Sequence, residues 1–215
     1  MLSRLDHPMT LYHNPTKTSS ESGVVLALSN CWIAHVTAGK DFFNDQATKL
    51  PIRNKLGEVV IIAVYFSSPN AQLNSEDANG CTQARQTLHQ LQTTMLNWII
   101  AAKTRNAQVI LMGDLNGIYQ SDLESFTFRD STWHSSQQHR IGDNLIDTLI
   151  SQGQLIDPWR MDHPNQQIHT QQQNSASRSS RARLDWILVS PILVNRITIF
   201  HNAHTRGLEV VEGWF

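Results

Sequence analysis

QVILMGDLN, residues 108–116, is the stretch on which the fold turns. Val109 to Met112 are four apolar residues in a row, and they run into Gly113 and then Asp114, Leu115 and Asn116. A short apolar run that ends in turn residues predicts a strand buried on both faces. Side chains alternate along a strand, so Asp114 and Asn116 are expected on one side of its mouth. A carboxylate there accepts a proton from water or holds a hydrated divalent cation, and the amide donates to a phosphate oxygen without adding charge. Taken alone, the tetrapeptide reads better as ordinary turn chemistry, because Asp, Asn and Gly often end strands.

Upstream, EVVIIAVYF (58–66) is another nearly continuous β-branched run and predicts a buried strand that ends at Tyr65. A phenol at a strand end is a donor for a phosphate oxygen, or simply a tyrosine at the rim of the core. Residues 67–80 have loop composition. In 84–103, Leu88, Leu91, Met95, Trp98 and Ile99 recur every three or four residues, which predicts a helix. GVVLALS (23–29) and CWIAHV (31–36) predict a hairpin, and residues 1–22 an irregular segment.

Downstream, DNLIDTLISQG (143–153) predicts a second helix, with Asp143 as N-cap and Gly153 past its C-terminus. QLIDPWR (154–160) returns toward a strand or a turn and leads into a Gln-, Asn- and Ser-rich stretch, 162–182, which predicts a polar surface loop. RLDWILVS (183–190) predicts a strand, and NRITIFHN (195–202) another. Asp185 sits between Leu184 and Trp186 on the first of these. A carboxylate in an apolar strand needs a partner, such as a histidine held in one tautomer, or an edge position that reaches solvent. Strands alternating with helices indicate an α/β or α+β fold.

The chain has 215 residues, 40% hydrophobic and 16% charged, which suits one domain over 1–215. The net charge of −1 gives no global field for nucleic acid, so DNA would need a local basic patch. Arg178, Arg181 and Arg183 are the local basic cluster and candidate phosphate contacts. The histidines show no HExxH or comparable ligand spacing, so no metal-ligand set is assigned. There is no glycine-rich nucleotide loop, and no small-molecule cofactor is expected. No apolar run has transmembrane length, and the first residues lack a signal-type apolar core. Membrane partners are not expected, and an intracellular location is.

Together these pieces resemble a known family. Val64-Tyr65 with Pro69-Asn70, a long helix, ILMGDLN, a helix, DPWR (157–160) with His163-Pro164, a Ser/Arg loop and RLDWILVS follow one another as in the endonuclease/exonuclease/phosphatase superfamily. The chain looks closest to abasic-site endonucleases and the endonuclease domains of LINE-type retrotransposons. The resemblance runs from about Gly23 to about Asn202. It implies a four-layer sandwich of two mixed β-sheets flanked by helices. It also implies phosphodiester hydrolysis of DNA with Mg²⁺ or Mn²⁺, and a nuclear location if the origin is a retroelement. Asp114 would position or deprotonate the attacking water, and Asn116 and Tyr65 would contact the scissile phosphate. Asp185 would orient the catalytic histidine.

The chain departs from the family pattern at both ends. No strand ending in a metal-binding Glu precedes Gly23, where only Glu21 in a polar stretch is found. No Ser-Asp-His follows Asp185, and neither His201 nor His204 follows an aspartate. The expectation is a domain incomplete at its N- and C-terminal strands, inactive or weakly active alone. Losing a general base lowers a rate by about 10²–10⁴-fold. The alternatives are a non-catalytic nucleic-acid-binding remnant and a small-molecule or lipid phosphatase of the same superfamily.

Overall fold

The computed structural model describes residues 8–13, 24–55, 57–66, 78–129, 132–135, 141–174 and 179–196. Its centre is a five-stranded sheet built from β3 (Asp41–Phe43), β4 (Ala47–Asn54), β5 (Gly57–Tyr65), β6 (Gln108–Asp114) and β11 (Asp185–Val189), in the order β11-β6-β5-β4-β3. The three apolar runs of the sequence, 58–66, 108–114 and 184–189, are thus its neighbouring strands. β5 and β6 are parallel, and every other pair is antiparallel. A parallel pair cannot be joined by a tight turn. The crossover here is the helix α2 (Ala78–Thr104).

One face of this sheet is the core. Val60, Ile62 and Val64 of β5, Val109 and Leu111 of β6, and Trp186 and Leu188 of β11 all lie on it, because the register aligns Ile62 with Leu111 and Leu111 with Leu188. Leu91, Met95, Trp98, Ile99 and Ala102 of α2 cover these residues, and Leu88 packs at the rim. The helical periodicity read from the sequence therefore picks out the packed stripe. After the short helix α3 (Ser121–Glu124), Leu145, Ile146 and Leu149 of α4 (Ile141–Ser151) complete the layer. On the opposite face, Val59, Ile61, Ile110, Met112 and Ile187 are only half-buried.

Gly113 is where the backbone leaves no alternative. Its φ is 141°, and a Cβ added there would lie 1.8 Å from the Val64 carbonyl oxygen. Only glycine allows β6 to run this close to β5.

Several local expectations need correction. Residues 1–22 are not wholly irregular, since β1 (Met9–His13) pairs antiparallel with β2 (Val25–Ser29). The expected second strand, CWIAHV, is instead a single helical turn, α1 (Asn30–Ile33), followed by a bridge from Val36 to Ile52. The stretch 162–182 is not a simple loop. Its polar residues supply β9 (Gln171–Asn174) and β10 (Ser179–Ala182), which join β7 (Ser125–Arg129) and β8 (Thr132–Ser135) in a four-stranded sheet of order β8-β7-β10-β9. Ladder hydrogen bonds hold these strands, so no apolar alternation advertised them.

DPWR is helical. Asp157 caps α5 (Pro158–Asp162) by accepting from Arg160 N at 3.2 Å, with Pro158 in the first turn where it needs no donor. Asp143 lies inside the first turn of α4 rather than capping it. Gly153 is not the left-handed residue after that helix, because Gln154 holds the positive φ, 48°. Gly153 is required for space, as a Cβ would come 2.3 Å from Leu149 O. Asn195 and Arg196 close a 3-10 helix (Pro191–Arg196) instead of opening a strand, and residues 197–202 lie outside those described.

Candidate functional site

Register builds the site. Tyr65 is paired with Asp114 across the parallel ladder, and Asp185 is paired with Asp114 across the antiparallel one. Residues at one level of adjacent strands point to the same side. Tyr65, Asp114 and Asp185 therefore stand in a row, each half-buried, at the end of three neighbouring strands and on the less covered face. The sequence placed two of these on separate apolar runs 71 positions apart; only strand pairing brings them together.

Asn116 is held differently from the expectation. The strand ends at Asp114, Leu115 is fully buried, and Asn116 takes a left-handed φ of 47°. Its backbone N donates to Asp114 Oδ1 at 2.8 Å, an Asx-type turn, and its Nδ2 donates to Phe66 O at 3.3 Å. Phe66 N in turn donates to Asp114 O at 2.7 Å. Strand alternation thus does not orient Asn116. A turn closed on the Asp114 carboxylate does, and Asn116 still lies beside that carboxylate.

Thr170 fixes the other end of the row. Its Oγ1 accepts from Leu184 N at 2.9 Å and Asp185 N at 3.1 Å, and Leu115 N donates to Leu184 O. Among the described residues, no donor is found for the Asp185 carboxylate. Two carboxylates directly opposed, with one of them undonated, form an anionic pair that favours a cation.

The basic cluster divides. Arg181 lies on β10, where its Nε donates to Gln172 Oε1 at 3.0 Å. With Phe126, Gln167 and His169 it lines a cavity of about 200 Å³. Arg178 lies outside the described residues. Arg183 is a correction: it is 3% exposed and clasps Asp157 through both terminal nitrogens, so it is not a surface contact for phosphate. A single arginine next to an apolar strand looks the same in sequence whether it points in or out, and only Glu124 and Asp157, distant in sequence, decide it.

Mg²⁺ and Mn²⁺ take oxygen ligands, and Asp114 and Asp185 offer two carboxylates at one level. Among the described residues no group of three or more His, Cys, Asp or Glu gathers around a point. The donor set fits a hydrated ion that keeps most of its waters, not one caged by the protein. Among the described residues no helix is long and apolar enough to cross a membrane.

No protein-family model matches the sequence, and no curated protein matches it. Solved structures match in fold. An AP endonuclease from Leishmania major superposes with a TM-score of 0.62 over 88% of this chain and 64% of its own, at 11% identity. A 3′ phosphatase from Neisseria bound to a product DNA hairpin gives 0.56 over 87% and 68%, at 19% identity. The endonuclease domain of a telomere-specific non-LTR retrotransposon aligns over 87% of this chain and 69% of its own at 11% identity, with a TM-score of 0.47. The chain has the mixed α/β sandwich fold that these two solved structures share, which is the fold the order of its motifs implied. It spans less than two thirds of the Leishmania enzyme's length.

Proposed function

We propose that this chain carries the phosphate-facing half of a divalent-metal-dependent DNA phosphodiester hydrolase, with weak activity or none by itself. The row Tyr65–Asp114–Asp185, with Asn116 turned back onto Asp114, is the observation that supports it. Tyr65 and Asn116 are donors for the non-bridging oxygens of a phosphodiester. Asp114 orients and deprotonates the attacking water, and Asp185 supplies charge for an imidazolium or a hydrated cation beside it. Mg²⁺ or Mn²⁺, when bound at the two carboxylates, would supply charge stabilisation at the phosphate. Two fold relatives are named for an abasic-site endonuclease and for a DNA-bound phosphatase, which favours DNA as substrate.

A nicking assay on supercoiled plasmid and on an abasic duplex, with Mg²⁺ or Mn²⁺, tests the proposal. Slow nicking that Asp114→Ala abolishes supports it. Robust nicking would overturn the weakness, and nicking unaffected by Asp114→Ala would overturn the site.

The Arg181 cavity favours a second reading, a non-catalytic DNA-binding module. Arg181, His169 and Gln167 line it together, and among the described residues no acidic residue does. Salt-dependent DNA binding that weakens on Arg181→Ala without any nicking would support this reading. Absence of binding at low salt would remove it.

A further inference from the structure

We infer that Glu124 and Arg183, with Asp157 and Arg160, are positioning residues that hold Asn116 and Asp185 in place. The inference rests on the proposed hydrolase site, whose two halves this ionic network joins. It also explains physically why GDLN, DPWR and RLDW occur together.

The loop that follows Asp114 has no secondary structure of its own, yet its donors are assigned one by one. Leu115 N donates to Leu184 O at 3.0 Å, and Ile118 N to Asp143 Oδ1 at 2.6 Å. Tyr119 N and Gln120 N both donate to Glu124 Oε2 at 3.0 Å. Gly117 O accepts from the Trp186 indole Nε1 at 3.2 Å. The loop beginning at Asn116 is thus fixed by Trp186, the residue after Asp185, and by Glu124.

Glu124 is completely buried. A buried carboxylate is costly unless paired and fully hydrogen-bonded. Its Oε1 accepts from Arg160 Nη2 at 3.0 Å and from Arg183 Nη1 at 3.2 Å, and Arg183 Nη2 donates to Asp157 Oδ1 at 3.1 Å. Two carboxylates and two guanidiniums therefore cancel in charge. The Arg183 guanidinium lies 4.0 Å from the centre of the Trp186 ring, and Arg183 N donates to Glu124 O at 2.8 Å. The Nε atoms of Arg160 and Arg183 are buried with no hydrogen-bond partner. Apolar residues of equal volume would hold this space at no loss of stability, and often with a gain. What they would not supply is direction: acceptors aimed at the amides of 119 and 120, and a planar cation stacked on Trp186.

The test compares local and global order in the full chain, without DNA or metal. The variants are Arg160→Gln, which removes one donor from Glu124, and Arg183→Lys, which keeps the charge and loses the fork. NMR amide exchange is followed at Ile118, Tyr119 and Gln120 against Ile62 and Leu111. The Asn116 side-chain amide and the Trp186 indole N–H are followed against the Trp98 indole, which is bonded to Asp41 Oδ2 elsewhere in the fold. The expected result is exchange about ten-fold faster at 118–120. The Asn116 and Trp186 signals shift, while Ile62, Leu111 and Trp98 stay unchanged; Arg160→Lys recovers part of the protection. Unchanged loop signals would overturn the inference. So would a uniform loss at loop and core alike, which marks a merely structural network. If Arg183→Lys does not fold, Arg160→Gln, at the network's outer edge, decides. None of these readouts needs turnover or DNA, so a failed hydrolase reading and a failed positioning role are told apart.

Discussion

Replacing Asp185 by Asn should make the protein more stable. Asp185 and Asp114 are directly opposed in the β11–β6 ladder, and opposed Cβ atoms lie about 5 Å apart. For carboxylates at about that separation, Coulomb repulsion is about 0.8 kcal/mol at the dielectric of water and about 3 kcal/mol at an effective dielectric of 20. Both residues are half-buried, and like charges directly opposed on a sheet destabilise by about 0.2–1 kcal/mol. We take about 1 kcal/mol. No side-chain bond is sacrificed, since Asp185 accepts none from the described residues, and Asn has nearly the same shape. In a chain of 215 residues this corresponds to a Tm increase of about 2–4 °C. The assay is thermal unfolding in EDTA at neutral pH and low salt, repeated at about 1 M salt, where screening should shrink the difference. Adding Mg²⁺ should raise the Tm of the parent more than that of Asp185→Asn, because the ion relieves in the parent what the substitution has already removed. A variant that melts at or below the parent in EDTA would refute the opposed-carboxylate geometry.

Gly113→Ala should leave little soluble protein, because its Cβ would meet Val64 O at 1.8 Å and the backbone is in a region alanine avoids; normal expression would contradict the β5–β6 approach. Arg183→Ala should cost about 3–5 kcal/mol in denaturant titration, since it removes the guanidinium from buried Asp157 and leaves buried Glu124 with Arg160 alone. Leu149→Ala, at a fully buried contact between α4 and the sheet, should cost about 2–5 kcal/mol. Arg181→Ala should change stability by no more than about 0.5 kcal/mol and lower the slope of log K against log salt for DNA by about 1, measured by fluorescence anisotropy.

β5, β6 and β11 of the central sheet were legible because they are apolar runs of strand length, whereas β3 and β4 fall in 39–57, whose polar residues and breakers Gly39, Pro51 and Gly57 read as no strand. The crossover helix was legible because its stripe repeats at helical spacing. The hairpin partner of β2 was not. MTLYH places Met9 and Leu11 on an exposed face, so its alternation does not report burial. β9 and β10 were hidden for a related reason: they are polar strands held by ladder hydrogen bonds, and hydrophobic periodicity carries no record of those.

What the sequence determined by itself is the identity and order of the strand-end motifs, because a short apolar run closed by GDLN or opened by RLD has few alternatives. Tertiary structure alone decided what those motifs face. Register put Asp185 opposite Asp114 and Tyr65 beside it. A left-handed turn, not strand alternation, set Asn116. Burial converted Arg183 from an apparent DNA contact into one of the two cations, with Arg160, that neutralise Glu124 and Asp157. Each of these depends on a partner tens of residues away, and pairing over that distance is settled by packing rather than by local pattern.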